Sequence, residues 1–157
     1  MTQNVDLIEE SALRELDIPE PWHLGRADRV RFHEVDSLGH VNNATYLTWF
    51  ETFRLSYVVH HKLAYYAPDA PVTVLLSAEV AYKRPIHLSE DYVTTGRVTS
   101  FRNSSFVMEY GVYTHAGLAA TGRVVHVLFA ADGVTKVKNP ERVIDVWLRD
   151  DKAVDER

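Results

Sequence analysis

The chain has 157 residues, 46% hydrophobic and 25% charged, a length and balance that suit one domain with a core of its own. Seventeen Lys and Arg against 22 Asp and Glu leave a net charge of −5, which gives no general footing for nucleic acid, so a phosphate-rich ligand would need a local basic patch. With no cysteine, disulfides and thiolate metal sites are excluded, which fits a cytoplasmic location.

The first ten residues lack the basic start and apolar run of a secretory signal. No uncharged apolar run is long enough to cross a bilayer, so no membrane association is expected. Residues 4–18 read as a short amphipathic helix with Val5, Ile8, Ala12 and Leu16 near one stripe, ended by Pro19 and Pro21. That segment is expected to pack outside the domain or to be partly mobile. From Asp28 to Val35 the pattern alternates, Val30 and Phe32 against Arg29, Arg31 and His33, the mark of a half-buried strand.

A long helix follows, starting near Asn42 or Asn43, both good N-caps. Tyr46, Phe50, Phe53 and Tyr57 fall on one face, and Leu47, Trp49, Val58 and Val59 widen it until few polar residues interrupt the cylinder. A helix of that kind is buried on most sides. Beyond the loop at Pro68–Pro71 come four strand-like runs: Val72 to Lys83, Tyr92 to Phe101, Ser104 to His115 and Leu118 to Ala131. The short turns at Arg102–Ser104 and Ala116–Gly117 make hairpins of the last three. A final helical segment spans Pro140 to Leu148, with Asn139 as cap and Pro140 at the first helical position. The tail beyond Asp150 is charged and expected to fray. These elements predict an α+β domain over residues 27–150, preceded by an extension, 1–26, and followed by the charged tail, 151–157. About five antiparallel strands would wrap one central helix, with short helical segments at the two ends.

The chemistry concentrates just ahead of the long helix. Asp36-Ser-Leu-Gly39-His40-Val-Asn42-Asn43 places a carboxylate one short loop before a helix start. Such a start carries unpaired N–H groups and the positive end of the peptide dipoles. Reactions that build negative charge on a carbonyl oxygen need those donors, with a nucleophile or base beside them. Asp36 is therefore the candidate nucleophile or general base, and the backbone N–H at Asn43 the candidate oxyanion donor. The plainer alternative for Asp36 is a turn cap paired with Arg31 or Arg54. Gly39 permits a tight turn and leaves room beside it. His40 is a candidate to hydrogen-bond the carboxylate, contact substrate or simply brace the loop. Asn42 is read as a cap or loop brace, with a lesser role in orienting water or substrate. Glu51 on the helix needs a partner, and Arg54 three residues on can supply it, though a catalytic role for Glu51 stays open.

Asp36…Gly39-His40-Val41-Asn42-Asn43…Tyr46…Trp49-Phe50-Glu51…Arg54, together with Tyr82-Lys83-Arg84-Pro85-Ile86…Asp91, resembles the signature of the hotdog-fold acyl-CoA thioesterases. Within them it is most similar to the 4-hydroxybenzoyl-CoA and long-chain acyl-CoA thioesterase branch, with order and spacing agreeing from about Arg29 to about Ala131. The resemblance implies a sheet wrapped around the long helix and a homodimer or homotetramer with sites at the subunit interface. It also implies hydrolysis of an acyl-CoA or acyl carrier protein thioester with no cofactor beyond the coenzyme A of the substrate. Tyr46 and Phe50 are candidates for the acyl slot. Lys83, Arg84 and Ser104, with Arg102 nearby, are candidates for the coenzyme A phosphates. No metal is required, since the eight histidines form no convincing ligand set. Two other functions remain on the sequence alone: a hotdog hydroxyacyl-thioester hydratase or dehydratase, and a non-catalytic acyl-thioester binding protein.

Overall fold

A computed structural model describes residues 7–63 and 68–157. Its strands are β1 (Leu7–Glu9), β2 (Leu24–Arg29), β3 (Val72–Tyr82), β4 (Asp91–Phe101), β5 (Ser105–Thr114), β6 (Gly117–Phe129) and β7 (Val154–Asp155). The helices are α1 (Glu10–Glu15), α2 (Thr45–His60) and α3 (Glu141–Val146). One sheet holds every strand, in the order β1-β2-β4-β5-β6-β3, with β7 running parallel beside β4 and all other pairs antiparallel. The four long strands lie where alternation and short turns predict them. The two beyond the expected five, β1 and β7, are too short to leave a periodic signal.

The sheet wraps α2, which is the hotdog arrangement. Tyr46, Phe50, Phe53 and Tyr57 form the buried face, and Trp49 joins them. Phe50 stacks on Tyr110 of β5 at 4.5 Å, and Trp49 stacks on Tyr92 of β4 at 3.8 Å. Each such ring, fully buried, contributes roughly 1.5–3 kcal/mol. Gly122 of β6 makes the closeness possible, because a Cβ there would run into the Phe50 ring. The opposite flank of α2 is open, contrary to the expectation of burial on most sides. Leu47, Glu51 and Leu55 are exposed, and so is all of the neighbouring edge strand β3 except Val80.

Local chemistry redirects several segments away from the sequence pattern. The expected N-terminal helix is instead β1, hydrogen-bonded to β2, followed by six residues of α1. Leu13 and Ile18, rather than Ala12 and Leu16, are buried, packing with Val93 and Tyr113. Val5 lies outside the described residues. The predicted strand through Val35 stops at Arg29. Phe32–Glu34 forms a single 3-10 turn, because the Glu34 carboxylate accepts the Arg31 N–H at 2.8 Å, and Phe32 points into solvent. Pro140, not Asn139, caps α3, since the Asn139 amide donates to the carbonyls of Arg102 and Ser105. The C-terminal tail is not frayed: Asp151 ends a π-helical turn (Trp147–Asp151) and is buried, and β7 then joins the sheet.

His126 of β6 is fully buried and stacks on Phe106 at 4.7 Å. Burial, with the Arg54 guanidinium nearby, pushes its imidazole from the ordinary 6.5 down to about 3. It is therefore neutral in the folded protein, while the unfolded chain takes up a proton below 6.5. Stability tied to this group is intact above 6.5 and falls as pH drops toward 3, by about 1.4 kcal/mol per pH unit at most. His126→Phe should remove that acid-side loss. Urea midpoints on either side of pH 6.5 should show the variant gaining on the wild type as pH falls. A constant difference across that range would refute the account.

Candidate active site

The loop between the 3-10 turn and α2 is fixed from both sides. Asp36 N–H donates to the His40 carbonyl at 2.8 Å, and Gly39 N–H to the Asp36 carbonyl at 3.0 Å. Val41 N–H reaches the Ile86 carbonyl at 2.8 Å, so the segment ahead of β4 holds the loop's outer side. Gly39 has φ +78, a left-handed conformation that disfavours other residues. A Cβ there would meet nothing within 4 Å, so the backbone, not crowding, calls for glycine.

Inside this loop the half-buried Asp36 carboxylate accepts the Leu38 N–H through Oδ1 at 2.8 Å, with the His40 N–H more distant at 3.4 Å. Oδ2 has no hydrogen-bond partner among the described residues. Asp36 pairs with neither Arg31 nor Arg54: the Arg31 guanidinium is on Asp28 at 2.9 Å. A carboxylate held by one oxygen and free at the other is oriented yet able to attack or to take a proton.

The helix start differs from the sequence reading in a way that matters. Helix α2 begins at Thr45, with Ala44 at the cap position and no side-chain cap. Asn42 spends its side chain on the entering turn, Oδ1 accepting the Ala44 N–H at 2.9 Å, while its carbonyl accepts the Thr45 N–H. Asn43 is held from behind, its carbonyl accepting the Tyr82 hydroxyl at 2.9 Å. Its own N–H has no partner among the described residues, and the residue is exposed. The result is a free, positioned donor at the positive end of a sixteen-residue helix.

Two residues given no site role in the sequence reading build this geometry. Buried Glu34 accepts the Trp49 indole N–H at 2.9 Å, and its carbonyl accepts the Asn42 N–H at 2.8 Å, locking the loop onto α2. Tyr82 does the same from β3. An acidic residue two places before Asp36, facing a helix Trp, was the only available signal for Glu34.

The other candidates divide. His40 braces the loop through its backbone, and its ring lies edge-on to His87 with centroids 5.1 Å apart, making no bond to Asp36. Tyr46 and Phe50, candidates for the acyl slot, are filled core positions, and burial pushes the Tyr46 hydroxyl up to about 12. Lys83 is exposed beside Tyr82, hence near the helix start. Arg84, offered for phosphate, is engaged elsewhere: its fork donates to the Ala116 and Gly117 carbonyls and the Thr114 hydroxyl, fastening the β5–β6 turn. Ser104 is at the far end of the sheet. It precedes Ser105, seven residues along β5 from Val112, which is in register through Ala120 with Tyr82; that separation is about 24 Å. Within one protomer Ser104 and Asp36 are not brought together. Glu51 is exposed and, among the described residues, makes no ion pair with Arg54. Among those residues, too, no group of three or more His, Cys, Asp or Glu is placed to hold a metal ion, and no helix is long and apolar enough to cross a membrane.

An antiparallel sheet wrapped around a helix, with a carboxylate on the loop that enters that helix, is the layout of the hotdog-fold thioesterases. Residues 30–148 match the thioesterase-like superfamily, and the chain belongs to it. A crystal structure of a thioesterase-superfamily protein from Jannaschia sp. CCS1 is 37% identical with a TM-score of 0.89, covering 95% of this chain and 96% of that one. A thioesterase from Thermus thermophilus, solved with coenzyme A and Zn, is 27% identical with a TM-score of 0.73, covering 87% of this chain and all of that one. YneP of Bacillus subtilis (strain 168), named for an acyl-CoA thioesterase activity, is 27% identical over 90 residues, or 56% of this chain. The match spans 65% of YneP's length.

Proposed function

We propose that this protein hydrolyses an acyl-CoA thioester to the free acid and coenzyme A. The observation that carries the reading is the pairing of a half-buried Asp36 carboxylate, free at Oδ2, with the free N–H of Asn43 one short loop away. Asp36 attacks the thioester carbonyl or takes a proton from the water that does. The carbonyl oxygen gains negative charge, which the Asn43 N–H and the α2 dipole stabilise. The C–S bond then breaks, and the thiolate takes up a proton and leaves as coenzyme A. Where Asp36 is the attacking group, water then cleaves the acyl–Asp36 anhydride, releasing the acid and restoring the carboxylate. Nothing in this sequence of steps requires a cofactor. Lys83, beside the helix start, is well placed for a coenzyme A phosphate, and the Thermus relative's complex with coenzyme A supports that choice of carrier over acyl carrier protein.

The same reading has the protein acting as a homodimer. The eleven-residue edge strand β3 pairs with β6 on one side and with no strand among the described residues on the other. It exposes Val72, Val74, Leu75, Leu76 and Tyr82, with Leu47 and Leu55 of α2 alongside. A long apolar edge of this kind invites another strand, and a two-fold axis through its middle joins two copies into one sheet.

Thiol release from a panel of acyl-CoAs, short to long plus benzoyl and phenylacetyl, tests the function directly. Turnover with a clear chain preference is the expected result. Tight acyl-CoA binding with no thiol released from any of them would replace hydrolysis with a binding role.

A further inference from the structure

A cavity of about 340 Å³ lies beneath the sheet, between the C-terminal half of α2, the start of β3 and α3. Its lining runs from Thr73 of the edge strand to Val98 of β4. Strands β6 and β5 lie between those two, so the cavity crosses three strand spacings, or about 14 Å. The β3 end is the mouth, where Leu55 and Val72 are exposed. The far end reaches the core: Val98 and Met108 face each other across β4 and β5 and are buried, as is Trp147, packed on Phe101 and Phe106.

The buried polar groups in this lining are already engaged. The Tyr57 hydroxyl donates to Asp151 at 2.7 Å, and the Asn139 amide donates to the Arg102 and Ser105 carbonyls. The half-buried Arg54 guanidinium bonds the Tyr110 hydroxyl, and Glu51, one turn before it, is exposed. A polar chain end reaching Met108 and Trp147 would therefore lose its water and find no free partner. A hydrocarbon end suffers no such loss, and each methylene taken from water into such walls tightens binding about fourfold. A single aromatic ring would fill only part of the cavity's length.

We propose that the cavity receives the tail of an unbranched aliphatic acyl chain of about eight to twelve carbons, and that Met108 and Trp147 at its closed end set that limit. The length follows from about 1.2 Å of advance per bond of an extended chain and from about 30 Å³ for a group the size of a water molecule. The inference rests on the acyl-thioester reading above and names its substrate class, medium-chain aliphatic thioesters. The dimer proposed there supplies the route. A two-fold axis near Ser77 sets the Val72 end of one β3 against the Tyr82 end of the other. Val72 and Thr73 line the cavity, and Tyr82 touches Asn43, so the cavity of one copy opens toward the Asp36 loop of the second.

The test uses straight-chain acyl-CoAs from about four to about sixteen carbons, with benzoyl-CoA and phenylacetyl-CoA alongside. Binding to the full-length Asp36→Asn protein is measured by calorimetry, and wild-type kcat/KM by thiol release. Affinity should climb about fourfold per methylene and then level off or fall between about eight and twelve carbons. Placed in the Asp36→Asn background, Met108→Ala should move that break to longer chains and Val143→Phe, which adds bulk to the cavity wall, to shorter ones. Opposite shifts in two folded variants cannot come from general destabilisation. Affinity independent of chain length overturns the inference, as does a break that neither variant moves, or tightest binding of an aromatic member. A break that moves as expected, with no thiol released by the wild type, upholds the acyl slot and counts against hydrolysis. Thiol release without any chain-length dependence does the reverse, so the two failures are separable.

Discussion

Asp36→Asn should lower thioester turnover at least about a hundredfold while leaving the fold intact. The substitution keeps the side chain's volume, and an amide oxygen can still accept the Leu38 N–H that holds Oδ1. What disappears is the charge at Oδ2, the one position with no partner among the described residues. Because the loop is braced by backbone bonds from Asp36, Gly39 and Val41, the variant's stability should stay within about 0.5 kcal/mol of the wild type. The kcat term should carry the loss, since Asp36 acts on the reacting carbonyl rather than on the carrier. Single-turnover hydrolysis in labelled water separates the two chemical routes: label entering Asp36 indicates an anhydride, and label confined to the acid product indicates direct attack by water. Equal activity in the two proteins would remove Asp36 from the reaction and turn attention to Glu51, which is exposed on the open flank of α2.

The loop was legible in the sequence because its parts are contiguous: a carboxylate, a glycine and a helix start within eight residues fix their mutual geometry locally. The long strands were legible for the same reason, alternation and turns being short-range signals. Legibility failed where a partner lies far along the chain. Arg84 reads as a phosphate ligand until the β5–β6 turn, some thirty residues on, brings three oxygens to it. Glu34 draws no notice in the sequence, and only the fold brings Trp49 of α2, fifteen residues on, to its buried carboxylate. Asn42 and Asn43 both read as N-caps, but the helix starts at Thr45 with Ala44 at the cap position. The Asn42 side chain instead accepts the Ala44 N–H in the entering turn, and the Asn43 N–H has no partner among the described residues. His126 gives no sign at all, since an alternating strand position says that a residue is buried and not whether its nitrogens find partners.

The largest expected effect on stability belongs to a residue in the segment that reads as a frayed tail. The Asp151 side chain is fully buried and joins three parts of the fold. Its Oδ2 accepts the Tyr57 hydroxyl of α2 at 2.7 Å and the Val98 N–H of β4 at 2.8 Å, and its Oδ1 lies 2.6 Å from Nε2 of His23, just ahead of β2. Burial, followed by this neighbouring carboxylate, raises the Tyr57 hydroxyl well above its ordinary value, so the phenol stays protonated and donates. Asp151→Ala leaves a buried hydroxyl and a buried backbone N–H without acceptors and opens a void at the meeting point of helix, sheet and tail. A loss of about 3–5 kcal/mol is expected, or roughly 10 °C in Tm for a domain of this size. Asp151→Asn should cost less but not be neutral, because the amide adds donors where three donors already converge. Since the residue also fixes the turn that leads into β7, hydrogen exchange at Val98 and along the β4–β7 pairing should quicken more than exchange in the β5–β6 hairpin. Wild-type-like melting of Asp151→Ala, or a uniform rise in exchange, would show that the C-terminal turn does not clamp the core.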